Sequence, residues 1–195
     1  MINYPHYDRN QRRRSFERLP KGAYVLVIKA AEEFHYKDGG DAIKIYFDIA
    51  EGEYLGFYQK QYNANANEDK KWPMDANYLL RVPNDNSEEW VWKNWHSFMA
   101  DLEDSNNGFV FDNNLMSLRG RLIGGLFRNE QSEYQGKIYD HTRLYWSATV
   151  EDVRDGSYGK LPKDKILEAS TTGSSIPASN DWMSVPAGAD EKLPF

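Results

Sequence analysis

Tyrosines and cations recur beside apolar residues along several stretches of this chain: Lys44 and Tyr46; Tyr58, Lys60 and Tyr62; Lys137, Tyr139, Arg143 and Tyr145. Arg119 and Arg121 stand two apart in the same manner. On a strand, residues two apart share a face, so each stretch would present rings and positive charge opposite its apolar side. That mixture suits a single-stranded nucleic acid: bases stack on the rings and cations meet the phosphates. Tyrosine is also an ordinary strand residue, so the argument rests on recurrence. Stacking tolerates every base, and DNA is not separated from RNA on this ground.

Catalytic patterns are sparse. With no cysteine, the chain has no disulfide, no thiolate zinc site and no thiol nucleophile. There is no glycine-rich phosphate loop and no Gly-x-Ser-x-Gly elbow. His6, His35, His96 and His141 are far apart, with no helical pair spaced to hold a metal. A nuclease needs clustered acids around a metal and a lysine nearby; Asp41 and Lys44 are the nearest fragment. The expectation is a binding protein with no catalytic residue, no metal and no cofactor.

The elements that would position these residues come from periodicity. Gly22–Phe34 is rich in β-branched and aromatic residues and ends at Asp38-Gly39-Gly40-Asp41, as before a hairpin turn. Ala42–Ala50 alternates, with Ile43, Ile45, Phe47 and Ile49 on one side. Tyr54–Tyr62 alternates again and reads as a third strand. Asn86 and Glu89 resemble a capping box, and Val91, Trp95, Phe98 and Leu102 recur at helical spacing, predicting a helix over about 87–103. Trp95 lies on that apolar stripe and is read as core; Trp90 and Trp92 fall off it and are open to a barrel-plug, dimer or partner contact. Leu115–Phe127 reads as strand four, with Arg119 and Arg121 on one face and Gly120, Gly124 and Gly125 as bend or bulge positions. Gln135-Gly136 would turn the chain into a last strand, Lys137–Val150, with Ile138, Leu144, Trp146, Ala148 and Val150 on its apolar face. Three strands, a helix and two more strands is the order of an OB-fold.

The net charge is −6, yet it is unevenly spread. In residues 1–21, six cations, Arg12, Arg13 and Arg14 among them, oppose two acids and leave +4. From residue 169 the chain is rich in Ser, Thr, Gly, Pro and Ala, and its three acids oppose one lysine, leaving −2. Such a tail cannot bury enough apolar surface to offset its ordering and is expected to be disordered. A basic end suits phosphate; an acidic end suits a protein partner.

Phe16-Glu17-Arg18-Leu19-Pro20-Lys21-Gly22-Ala23-Tyr24, Lys44-Ile45-Tyr46-Phe47-Asp48-Ile49-Ala50-Glu51-Gly52, Asn106-Asn107-Gly108-Phe109-Val110-Phe111-Asp112 and Leu118-Arg119-Gly120-Arg121-Leu122 carry a resemblance. Over about residues 15–160 the chain resembles small proteins from the replication or recombination modules of tailed phages and prophages of Gram-positive bacteria, a family described as single-stranded DNA-binding. That implies an OB-fold and a bacterial host cytoplasm. The end of the chain is similar to the tail of bacterial and phage single-stranded DNA-binding proteins: Asp190 and Glu191 match their acids, and Leu193-Pro194-Phe195 matches the apolar, Pro, terminal Phe tip. Lys192 interrupts a short acid run, a departure that touches partner affinity. The likeness implies that these residues bind partner proteins.

The combined reading is all-β with one inserted helix: a five-stranded OB-fold barrel over 21–168, a basic arm at 1–20 and a disordered tail at 169–195. Its expected function is sequence-tolerant single-stranded DNA binding in phage replication or recombination. The DNA contacts would come from Arg12, Arg13, Arg14, Lys44, Tyr46, Tyr58, Lys60, Tyr62, Arg119, Arg121, Lys137, Tyr139, Arg143 and Tyr145. Asp190, Glu191, Leu193, Pro194 and Phe195 would recruit replication or recombination proteins. The alternative is an adaptor of the same module with little DNA affinity; a metal-dependent nuclease ranks below both. A homodimer is left open, and no apolar run approaches the roughly 20 residues of a membrane span.

Overall fold

A computed structural model describes residues 17–37 and 39–167. Five strands form one sheet: β1 Ala23–His35, β2 Asp41–Ile49, β3 Asn77–Arg81, β4 Leu122–Tyr134 and β5 Lys137–Ala148, in the spatial order β3-β2-β1-β4-β5. All pairings between these strands are antiparallel. Helices α1 Phe57–Ala64, α2 Glu89–Asp104 and α3 Val150–Asp155 accompany the sheet, with 3-10 turns at Met74–Ala76 and Leu115–Leu118. Ile43, Ile45, Phe47 and Ile49 are buried, as their alternation predicts. They join Leu26 and Ile28 of β1, Leu80 of β3, Phe127 of β4, and Phe98 and Leu102 of α2 in one core. Each such side chain contributes about 1.5–3 kcal/mol by leaving water.

Two register shifts bend the sheet. One lies between Ile28 and Ala30, leaving Lys29 as the extra, exposed residue of β1. The other lies between Leu126 and Phe127, where Tyr145 is the extra residue of β5. Such bulges raise local twist and re-aim side chains. Leu144 therefore pairs with Phe127 inside, while Trp146, expected on the same face, pairs with Leu126 and is 48% exposed. β3 and β5 are the edges of the sheet, and side chains span the space between them. His141 Nδ1 and Arg143 Nε reach Asp75 Oδ1, just before β3, at 2.9 and 3.4 Å. Ser147 Oγ donates to Asp101 Oδ2 of α2 at 2.5 Å. These ties draw the sheet towards a barrel-like shape.

The expected third strand at Tyr54–Tyr62 is corrected: Phe57–Ala64 is the helix α1. Tyr54, Tyr58 and Tyr62 stand four apart, a spacing that fits a helix as well as alternation, and over so few residues the two periods compete. Local chemistry decides. Gly56 takes φ +68° at the N-cap, a conformation L side chains rarely adopt. Asp48 then accepts hydrogen bonds from the Tyr58 and Gln59 N–H groups at 2.9 and 3.2 Å, where the helix N-terminus favours negative charge. The third strand is Asn77–Arg81, where no strand is expected from the sequence; Tyr78 and Leu80 pair with the inward Ile45 and Ile43.

α2 starts at Glu89, with Val91, Phe98 and Leu102 buried. The expected capping box is absent: Glu88 is the N-cap without a side-chain bond, and Glu89 pairs with Lys93 at 2.7 Å. Strand four begins at Leu122, so Arg119 and Arg121 precede it rather than sharing its face, with Gly120 between them at φ +81°. Gly124 is neither bend nor bulge but a point of close approach. A Cβ there would meet the Thr149 and Ala148 carbonyl oxygens at 2.6 and 2.7 Å, and Val153 of α3 at 2.7 Å. Because backbone atoms must move, Gly124→Ala is expected to destabilise the fold by about 2–3 kcal/mol, read as a lowered melting temperature in calorimetry. The Gln135-Gly136 turn falls where expected, both residues with positive φ, the backbone a tight hairpin requires.

Candidate nucleic-acid interface

The β4–β5 hairpin carries the clearest surface. Register pairs Tyr134 with Lys137, Ser132 with Tyr139, Glu130 with His141 and Arg128 with Arg143, so these side chains share one face. Tyr134, Lys137 and Tyr139 are exposed. Lower on the hairpin, Arg128 lies 3.7 Å from the Tyr145 ring centre and also holds Glu130 through its Nη2 at 2.6 Å. Arg143 is half-buried against Asp75 and Met74. Lys137 and Tyr139 thus stand ready for a ligand, whereas Arg143 and Tyr145 are already engaged.

Other predicted contacts sit elsewhere. Tyr46 is buried, not exposed, and donates to Glu32 Oε1 at 2.6 Å; burial, then that carboxylate, push its pKa far up. Lys44 lies 3.8 Å from the same Glu32. Tyr58 is a core residue at 2% exposure, not a strand-face residue. Lys60 is exposed on α1, and Tyr62 packs against Trp72 at 5.6 Å with Lys70 over its ring at 4.8 Å. Arg119 is exposed; Arg121 covers the Phe109 ring at 4.3 Å. Arg12, Arg13, Arg14, Asp190, Glu191, Leu193, Pro194 and Phe195 lie outside the described residues.

A second aromatic and cationic cluster escaped the sequence reading. Arg81 of β3 lies 4.7 Å from the Tyr36 ring centre and 5.9 Å from that of Trp90, and Phe34 meets Tyr36 edge-on at 5.0 Å. These residues come from the end of β1, the end of β3 and the start of α2. The apolar and aromatic run Tyr78-Leu79-Leu80 ahead of Arg81 is the one signal of it in the sequence. Trp92 is 38% exposed and stacks on His96 at 5.7 Å.

Asp41 and Lys44 do not form an acid–lysine site: Asp41 holds His35 at 2.7 Å and pushes its pKa up, first through that hydrogen bond. No group of three or more His, Asp and Glu could hold a metal among the described residues. One chain has a nucleophile relay's connectivity: Ser132 Oγ lies 3.0 Å from His141 Nε2, and His141 Nδ1 lies 2.9 Å from Asp75. With Nδ1–H donating to Asp75, Nε2 accepts from Ser132. Asp75 also holds Arg143, and Ser132 does not line the cavity that Asp75 and His141 line. The chain therefore reads as a tether from the hairpin to the start of β3.

No family model matches the sequence, and no curated protein matches it. Its described residues form a five-stranded antiparallel sheet with a few helices. No helix among the described residues is long and apolar enough to cross a membrane.

Proposed function

We propose that this chain binds single-stranded DNA with little regard to sequence, on an OB-type barrel, and recruits replication or recombination proteins through residues 190–195. The strand order carries the reading. β1 pairs with both β2 and β4, β3 and β5 form the edges, and α2 falls between β3 and β4. A five-stranded, partly open OB barrel has this arrangement, and it holds oligonucleotides across strands 2–3 and the 1–2 and 4–5 loops. Lys137 and Tyr139 flank the 4–5 loop here, and Tyr36 with Arg81 lies by the 1–2 loop. The acidic total is no obstacle, because steering depends on where charge sits.

One observation favours a second reading, an adaptor with little DNA affinity: Lys44, Arg128 and Arg143 each sit against a carboxylate. Titration of the full chain with oligo-dT, followed by tyrosine and tryptophan emission, separates the two. The DNA reading expects binding at about 50 mM salt that weakens steeply as salt rises, with a logarithmic slope of about −0.7 per phosphate contacted. No binding at low salt, together with partner capture that depends on residues 190–195, would leave the adaptor.

A further inference from the structure

Four arginines are half-buried among the described residues: Arg81, Arg121, Arg128 and Arg143. Three of them have an acceptor. Arg121 Nε donates to the Ser117 carbonyl at 3.2 Å, Arg128 Nε to Glu130 at 2.8 Å and Arg143 Nε to Asp75 at 3.4 Å. Arg81 has none among the described residues; its guanidinium meets the Tyr36 and Trp90 rings, at 4.7 and 5.9 Å. A ring attracts the cation through its π face and leaves the five N–H donors without an oxygen. The carboxylates nearby are engaged elsewhere. Asp41, beside the Ala42 that pairs with Arg81, holds His35 at 2.7 Å, and Glu88 accepts the Trp90 indole N–H at 2.7 Å. A permanently charged fork set between two rings gives up part of its rotamer freedom in advance. It is pre-organised for an anion that offers paired oxygens, as a phosphate does.

We propose that Arg81 clamps a backbone phosphate of the same single strand that crosses the β4–β5 hairpin, with Tyr36 and Trp90 holding its fork in place. The inference rests on the single-strand reading above. A path joins the two places. Arg143, on the hairpin face that carries Tyr139, meets Asp75 just before β3. β3 then leads to Arg81 at its far end, about 13 Å at about 3.3 Å per residue. Tyr78 of β3 feels both ends. Burial pushes its hydroxyl pKa up to about 12; the Asn94 hydrogen bond opposes that, while Tyr145 of the hairpin and Tyr36 of the cluster add to it. The span suits one barrel's footprint of about 4–16 nucleotides. A phosphate, rather than a base edge, agrees with binding that has little regard to sequence, because phosphate contacts position a strand and carry no sequence information. A guanidinium takes two phosphate oxygens whatever base follows.

The test titrates the full-length chain with oligo-dT of about 15 nucleotides across a salt series, beside Arg81→Ala, Arg81→Gln and Arg81→Lys. Arg81→Ala should weaken binding by about 10-fold at low salt and lower the logarithmic salt slope by about 0.7, the share of one phosphate. Arg81→Gln keeps part of the stem over the rings and should lose the same slope. Arg81→Lys keeps the charge without the fork, so the slope should hold while affinity falls by about 3-fold. A purely structural arginine would move the melting temperature and leave the slope alone. A wild-type slope in both Arg81→Ala and Arg81→Gln would therefore mean that Arg81 packs the two rings and touches no phosphate; that result overturns the proposal and leaves the single-strand reading standing. If the wild-type chain itself fails to bind oligo-dT, both fall together.

Discussion

Replacing Asp48 by alanine is expected to lower the melting temperature by roughly 6–12 °C, equivalent to about 3 kcal/mol for a chain of this size. Asp48 is 3% exposed. Its Oδ1 accepts from the Ile49 and Tyr58 N–H groups at 2.8 and 2.9 Å, and its Oδ2 accepts from the Gln59 N–H at 3.2 Å. Alanine would strand these donors and remove the negative charge from the first turn of α1. Asp48→Asn keeps one oxygen, can retain the Oδ1 bonds and turns an N–H₂ towards Gln59. It should lose about half as much. Calorimetry on both variants checks the ordering. Alanine melting within about 2 °C of wild type would mean that solvent replaces the carboxylate there.

Asp48 also illustrates what the sequence could and could not disclose. Its place on β2 is legible, because nine residues alternate without a break. Its task is not: it depends on the chain turning back at Gly52 and Gly56, and on a helix where alternation suggested a strand. α2 was legible for the opposite reason. Its apolar stripe, Val91 to Leu102, spans about three turns, long enough for one period to win, and Val91, Phe98 and Leu102 are buried as that stripe requires. β3 is five residues long, too short for alternation to single it out from a loop.

The binding surface was legible only in part. Lys137 and Tyr139 lie on an extended hairpin where alternation and exposure coincide. Tyr46 obeys the same alternation, yet Glu32 across the ladder and the surrounding chain bury it; a single strand cannot report what covers its outer face. The bulge at Tyr145 turns Trp146 away from Leu144, which no count of alternation detects. The Tyr36–Arg81–Trp90 cluster is assembled from three elements, so spacing along the chain says nothing of it.

The double variant Lys137→Glu, Tyr139→Ala is expected to weaken oligo-dT binding by about 100-fold at low salt. Loss of one stacked base costs about 1–3 kcal/mol, and reversal of Lys137 both removes a phosphate contact and adds repulsion. The salt slope should fall by about 0.7, the share of one contacted phosphate. Folding should be nearly unaffected: Tyr139 is 44% exposed, Lys137 is exposed, and substitutions at such positions usually stay within about 0.5 kcal/mol. Tyr46→Phe serves as the contrast. It breaks the hydrogen bond to Glu32 and should cost stability, but the ring lies at 4% exposure and reaches no ligand, so affinity should hold. Were the double variant to bind as wild type does, the strand would have to cross the Tyr36–Arg81–Trp90 cluster instead, and Arg81→Ala would carry the loss. Were neither to weaken binding, the exposed aromatics would not be a stacking platform, and the adaptor reading would stand in its place.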